Sequence, residues 1–278
     1  MRNTIITIVR CLLLIIILGT IGYVGYKVLP TLTEYRKESN AYEDIRKKTV
    51  RTADSSAEEE EFEIDPDTIL VDWEQYKGMN VVAWFQMDDI GYPVMQSADN
   101  EYYEHRMPDG SESRSGSLFL HGTNAFDFSD RSSFIYGHNM ADGSMFGKLR
   151  HTYKDPKYKD HTFDLYYPDG TRHTFMFMSV VETYAGSDLY ETEFKTLSSF
   201  MDYQRKMKSL SIYGNTPEVD SNAKLVSLST CDGYAGTNNR MIIQGKEISV
   251  KKVEYPASWW DLRLAKYEGR NLDTPEKN

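Results

Sequence analysis

Lys224-Leu-Val-Ser-Leu-Ser-Thr-Cys231, followed after the Gly- and Asn-rich Asp232-Gly-Tyr-Ala-Gly-Thr-Asn-Asn239 by Arg240-Met-Ile-Ile-Gln244, decides how this chain is read. Two short β-prone runs separated by turn-forming residues predict neighbouring antiparallel strands joined by a loop. Cys231 then ends one strand and Arg240 begins the next. In register across the loop, the two side chains lie opposite one another with Cβ atoms about 5 Å apart on one face. A cation beside a thiol favours the thiolate, and the thiolate is the nucleophilic form.

Upstream, Phe134-Ile-Tyr-Gly-His138-Asn-Met140 is a short apolar run that stops at Gly137, so His138 is expected at a strand end, on the rim of its sheet. A strand-end Cys, His and Arg suffice for acyl transfer, as nucleophile, proton carrier and cation for a developing oxyanion. His121 also ends an apolar run and is the rival proton carrier. His105, His151, His161 and His173 lie in polar surroundings without repeated spacing and are expected at the surface or at strand edges. The body holds no second cysteine and no helical His-x-x-x-His pair, so neither a metal nor a cofactor is expected.

These motifs resemble a family. Ser-Leu-Ser-Thr-Cys231 followed by Arg240, with Tyr136-Gly-His138-Asn-Met before them, is similar to the sortases, cysteine transpeptidases of Gram-positive cell walls. Asn80-Val-Val-Ala-Trp-Phe85, Tyr92-Pro-Val-Met-Gln-Ser-Ala-Asp-Asn-Glu-Tyr-Tyr103, Ser115-Gly-Ser-Leu-Phe-Leu120 and Gly143-Ser-Met-Phe-Gly-Lys-Leu149 point to class B. The resemblance covers about residues 65 to 252. It departs at His121, where the pattern has an acidic residue, and in the loop from Asp232 to Asn239. It implies a catalytic Cys231, His138 and Arg240 and a thioacyl intermediate on the cysteine. The implied partners are secreted proteins bearing a C-terminal sorting motif and an amine of the peptidoglycan precursor. Ser229, two residues before Cys231 on the same strand face, is a candidate substrate contact or a barrel-lining serine.

The chain has 278 residues, is 40% hydrophobic and carries a formal charge of -10. That is enough for one sizeable folded domain plus extensions. An acidic chain lacks the basic face that phosphate binding requires, so nucleic acid is excluded as a partner, and Arg46-Lys-Lys48 is a solvated helix face.

Near the N-terminus, Cys11-Leu-Leu-Leu-Ile-Ile-Ile-Leu-Gly-Thr-Ile-Gly-Tyr-Val-Gly-Tyr26, with Ile5 to Val9 before it, is interrupted only by Arg10. Its length is near the minimum for a membrane span. No Ala-x-Ala site follows, so an uncleaved anchor over residues 1–30 is expected rather than a signal peptide. Basic residues flank both sides, and the extracytoplasmic position of the body comes from the resemblance alone. The two cysteines are Cys11, inside the span, and Cys231, so no internal disulfide is expected. The lone body thiol is otherwise a small buried hydrophobe.

Thr31 to Thr52 reads as a polar helix or stalk, and Ala53 to Glu61 as a charged linker, together a segment over 31–63. The catalytic body is expected over 64–255, opening with a short helix from Asp65-Pro66 to Tyr76. Short β-prone runs follow at 81–86, 90–96, 116–121, 133–137, 161–167, 171–184, 224–231 and 240–250. This pattern predicts a mainly β fold, a closed or nearly closed barrel with peripheral helices. Glu191 to Leu210 carries Phe194, Leu197, Met201, Met207 and Leu210 at helical spacing and predicts an amphipathic helix packed on the body. The resemblance gives that helix a second role, framing the substrate groove. Pro256 to Tyr267, with Trp259, Trp260, Leu262 and Leu264, caps the barrel or meets another surface within a final segment over 256–278. A cysteine hydrolase on the same scaffold, a pilin-polymerising sortase and a membrane-tethered binding module with an inert cysteine are the alternative functions.

Overall fold

The computed structural model describes residues 2–52, 65, 68–214, 218–231 and 237–269. The contacts divide the chain into two units, residues 1–43 and 44–278. The expected linker from Ala53 to Glu61 lies outside the described residues.

Helix α1 (Arg2–Thr49) is continuous and contains Pro30. Its apolar part is long enough to cross a bilayer, and the large apolar side chains from Leu12 to Leu32 are exposed. The polar helix expected to reach Thr52 stops at Thr49. Val50–Thr52 forms strand β1 instead, paired antiparallel with β2 (Ile69–Val71). The short helix expected from Asp65 is likewise replaced, by β2 and a single 3-10 turn over Trp73–Tyr76. Two causes are visible. Ile69-Leu-Val71 finds a strand partner, which outweighs a weak local helix signal. Asp65, ahead of it, is held by Arg172 at 2.5 Å and by Lys251 at 3.3 Å.

The barrel strands are β3 (Val81–Met87), β4 (Ile90–Gln96), β5 (Leu118–Leu120), β6 (Ser132–Tyr136), β7 (Thr162–Tyr166), β8 (Thr171–Tyr184), β9 (Leu225–Cys231) and β10 (Asn239–Lys252). They close in the order β10-β8-β7-β3-β4-β5-β6-β9. Each expected run has become one strand. Pairing is antiparallel except at β4–β5 and β6–β9, which are parallel. The parallel β6–β9 pair needs a long crossover, and the chain between them supplies α2 (Gly147–Thr152), β7, β8 and α3 (Leu197–Leu210).

The cysteine strand is laid down by its own alternation. Successive side chains point to opposite faces, so Leu225, Ser227, Ser229 and Cys231 share one face, and Val226, Leu228 and Thr230 share the other. Leu225 belongs to a buried cluster with Phe134, Met178, Val181, Ile242 and the α3 residues Phe200, Tyr203 and Met207. The first face is therefore the outer one, roofed by α3, and the second fills the barrel. Each fully buried large side chain in this layer contributes about 1.5–3 kcal/mol. The helix begins at Leu197 rather than Glu191, because Thr196 and Ser199 form a reciprocal capping box that fixes its first turn.

At the other end, α4 (Trp260–Gly269) covers the barrel. Trp260 packs edge-on against Phe126 with ring centroids 5.2 Å apart, Trp259 donates its indole N–H to the Trp73 carbonyl, and Arg263 donates to the Val81 carbonyl. Of the two expectations for this segment, capping the barrel is the one observed.

Candidate active site

Strand register assembles the site. β10 pairs Arg240 with Cys231, and β6 pairs Tyr136 with Ser229 in parallel. The Gly137 N–H then donates to the Ser229 carbonyl at 3.1 Å. Two residues beyond each member of the Tyr136–Ser229 pair stand His138 and Cys231, so the histidine is level with the cysteine on the neighbouring chain. The register thus puts His138 on the β6 side of Cys231 and Arg240 on its β10 side. Cys231 is a free, partly exposed thiol.

Glycines make the approach possible. A Cβ on Gly137 would lie 2.4 Å from a Leu118 methyl and 2.7 Å from the Phe146 ring, so only glycine lets β6 run past them to place His138. His138 Nε2 is 2.8 Å from the Glu104 carbonyl oxygen. A carbonyl only accepts, so Nε2 carries a proton. That carbonyl is presented by a tight contact with Gly116, whose φ is +55° and whose added Cβ would sit 2.2 Å from the Glu104 oxygen. The His105 ring stacks on His138 at 5.9 Å. Arg240 Nη1 donates to the carbonyls of Thr237 and Asn239 at 3.1 and 3.0 Å, which tethers the guanidinium to the turn that leads into β10.

These three side chains line one cleft of about 340 Å³, together with Ser229, Tyr136, Tyr190 and His121. Its floor is the outer face of β6 and β9 just beyond the α3 roof. Ser229, 1% exposed, hydrogen-bonds Tyr190 through its hydroxyl at 2.9 Å. Tyr190 stacks on Tyr136 at 6.0 Å, and Tyr136 packs on Phe119 at 5.3 Å, which makes an apolar aromatic wall. Burial pushes the Tyr190 phenol upward, with the Ser229 hydrogen bond and Arg240 pulling it back. Burial also raises Tyr136. Both phenols therefore stay neutral and serve as wall and hydrogen-bond partner.

Several cleft residues were not foreseen in the sequence. Tyr136 was within reach, since it stands two positions before His138 and so shares its face; Tyr190 lies in an irregular segment with no periodic signal. The remaining histidines divide. His173 is not at the surface: it is 8% exposed, pairs with Glu247 at 2.6 Å and packs on the Tyr167 ring. His161 meets Asp88 at 3.1 Å. His105, though exposed, touches the site through His138. Among the described residues no group of three or more His, Cys, Asp or Glu could hold a metal ion. Residues 232–236 of the departing loop lie outside the described residues.

No protein-family model matches the chain. Sortase B of Listeria monocytogenes is 33% identical over 246 residues, covering 85% of this chain and 96% of that protein. The chain belongs to the sortase B family. A solved sortase B from Listeria monocytogenes superposes with a TM-score of 0.53 at 34% identity, covering 62% of this chain and 97% of that one. A Staphylococcus aureus sortase B–substrate complex gives a TM-score of 0.65 over 78% of this chain and 99% of that one; at 22% identity it speaks for the sortase B fold alone. The protein is accordingly a sortase cysteine transpeptidase, and its eight-stranded closed barrel is the sortase B barrel.

Proposed function

We propose that this sortase B is membrane-anchored and uses Cys231 as nucleophile, His138 as proton carrier and Arg240 as oxyanion cation. The observation that carries this reading is the register across β6, β9 and β10, which sets the three side chains level at one end of a single cleft. The Cys231 thiolate attacks a backbone carbonyl of a sorting motif near the C-terminus of a secreted protein. A C–S bond forms, and the carbonyl electron pair moves onto oxygen beside Arg240. As the tetrahedral centre collapses, the C–N bond breaks and protonated His138 gives its proton to the departing amine. The thioacyl enzyme is then attacked by an amine of a peptidoglycan precursor. Neutral His138 takes the proton from that amine, and the sulfur leaves as thiolate. Ser229, held by Tyr190, forms the groove floor on which the acyl donor lies.

The apolar stretch within residues 1–30 anchors the chain, residues 31–63 form a stalk and linker, residues 64–255 the catalytic barrel and 256–278 a C-terminal helix and tail. The barrel stands outside the cytoplasm, where its substrates are. Exposed apolar side chains along α1 support the anchor. The test is product analysis with the full chain in detergent micelles, using a randomised synthetic peptide library and hydroxylamine as amine. The wild type releases C-terminal fragments and forms hydroxamates, while Cys231→Ala does neither. Free carboxylates in place of hydroxamates would make the protein a hydrolase, and unchanged activity in Cys231→Ala would overturn the proposal.

A further inference from the structure

His121 lines the same cleft as Cys231, and its position favours one role over another. Pairing of β5 with β6 continues past the strand end, because the His121 N–H donates to the Phe134 carbonyl at 2.9 Å. His121 is therefore level with Phe134, four residues before His138 on β6, or about 13 Å along the strand direction at 3.3 Å per residue. The Tyr136 ring lies between, 5.8 Å from the His121 ring. The register thus sets the His121 backbone well away from the level of Cys231, with the Tyr136 ring between them, which favours His138 as the proton carrier.

Its ring is held firmly. The Gln96 amide donates to the His121 carbonyl at 3.1 Å, and the next residue, Gly122, donates its N–H to Asn100 at 2.8 Å. The Thr123 N–H reaches His121 Nδ1 at 3.3 Å, and the Thr123 hydroxyl lies 3.0 Å from the same nitrogen. A backbone N–H only donates, so Nδ1 is the acceptor and the neutral ring carries its proton on Nε2. The Thr123 hydroxyl is in turn 3.3 Å from that of Thr192, which ties this rim to the segment entering α3. Burial lowers the His121 pKa and so favours the uncharged ring.

We propose that His121 is a specificity-determining residue, an oriented neutral N–H donor that binds a side-chain carbonyl oxygen of the acyl-donor peptide about four to five residues from the scissile bond. Cys231 and His121 are about 13 Å apart along the strands and about 10 Å across β6, roughly 16 Å, which an extended peptide covers in that many residues, and the wall of Phe119, Tyr136 and Tyr190 supplies its apolar footing. A neutral donor of this kind selects a carbonyl acceptor over an ammonium group at that place. A carboxylate in the same position would select the reverse.

The inference rests on the peptide-transfer reading above, and one experiment separates the two. The full chain in detergent micelles is assayed with the best peptide from the randomised library and hydroxylamine as acceptor. His121→Phe removes the donor and keeps a flat ring; KM for the peptide rises about five- to tenfold, the worth of one directed hydrogen bond, with kcat within about twofold. His121→Gln returns an N–H at similar reach and brings KM back toward wild type. His121→Asp shifts the library preference at the matching position from carbonyl-bearing to cationic side chains. Long-range proton–nitrogen correlation of the wild type shows His121 with Nδ1 bare and Nε2 protonated. An unchanged KM in His121→Phe, or a fall in kcat at constant KM, overturns the inference, and should that variant not fold, His121→Leu is read the same way. Absence of any hydroxamate from the wild type sinks the peptide-transfer reading instead.

Discussion

Glu254 makes the stability of the barrel depend on pH. Its carboxylate accepts hydrogen bonds from the Trp73 indole at 3.0 Å and the Val71 N–H at 3.4 Å, where the segment after β10 passes β2. Burial is the largest influence and raises the carboxyl from 4.5 to about 7; the bonds from Trp73 and Val71 and the charge of Arg51 pull it part of the way back. Between those two values the folded protein binds a proton that the unfolded chain has released. Stability from this group is therefore complete below about pH 4.5, declines as pH rises, and has gone above about pH 7. A shift of that size is worth at most about 3 kcal/mol. Glu254→Gln keeps an acceptor for Trp73 and Val71 but has no charge to desolvate. The variant should match wild type at pH 5 and exceed it by about 2–3 kcal/mol at pH 8. Urea titrations of both full chains in micelles, followed by tryptophan fluorescence, measure the difference at each pH. Parallel stability curves, or a wild type that gains on the variant as pH rises, would instead make Glu254 a charge stabilised by Arg51.

Three further substitutions probe how the site is held. Gly137→Ala drives a methyl into Leu118 and Phe146, costing about 1–3 kcal/mol by denaturant titration; hydroxamate formation falls further than stability does, because the shift reaches His138. Arg240→Lys keeps the charge but loses the planar donor set, and kcat drops about 100-fold with the fold intact by circular dichroism. Thr196→Ala removes the α3 cap and lowers unfolding free energy by about 1 kcal/mol, read from the shift in denaturation midpoint.

Much of the barrel was legible because each strand is a short β-prone run between Gly, Pro, Asn or Asp, so local propensity and tertiary pairing agree. The alternation in Leu225 to Cys231 also carries both faces of the cysteine strand, small serines beneath the helix and aliphatics in the interior. Disagreement arose where pairing overrode a local signal, as at Val50–Thr52 and Ile69–Val71, two three-residue strands that pair with each other. His138, Cys231 and Arg240 stood out in the chain as strand ends. Tyr190 and Asn100 did not, because they reach the cleft from irregular segments whose course depends on the packed barrel. His173 was misplaced because a polar neighbourhood in sequence says nothing of Glu247, which faces it from another strand.

In the proposed reaction the β9 cysteine, flanked by His138 and Arg240, forms the acyl bond. Intact-mass and peptide-level mass spectrometry of the full chain, quenched in acid after mixing with the peptide library and no amine, measures this directly. The expected result is an acyl adduct on Cys231 that hydroxylamine removes and that Cys231→Ala lacks. Turnover with no such adduct, or with the acyl group on another residue, would contradict it.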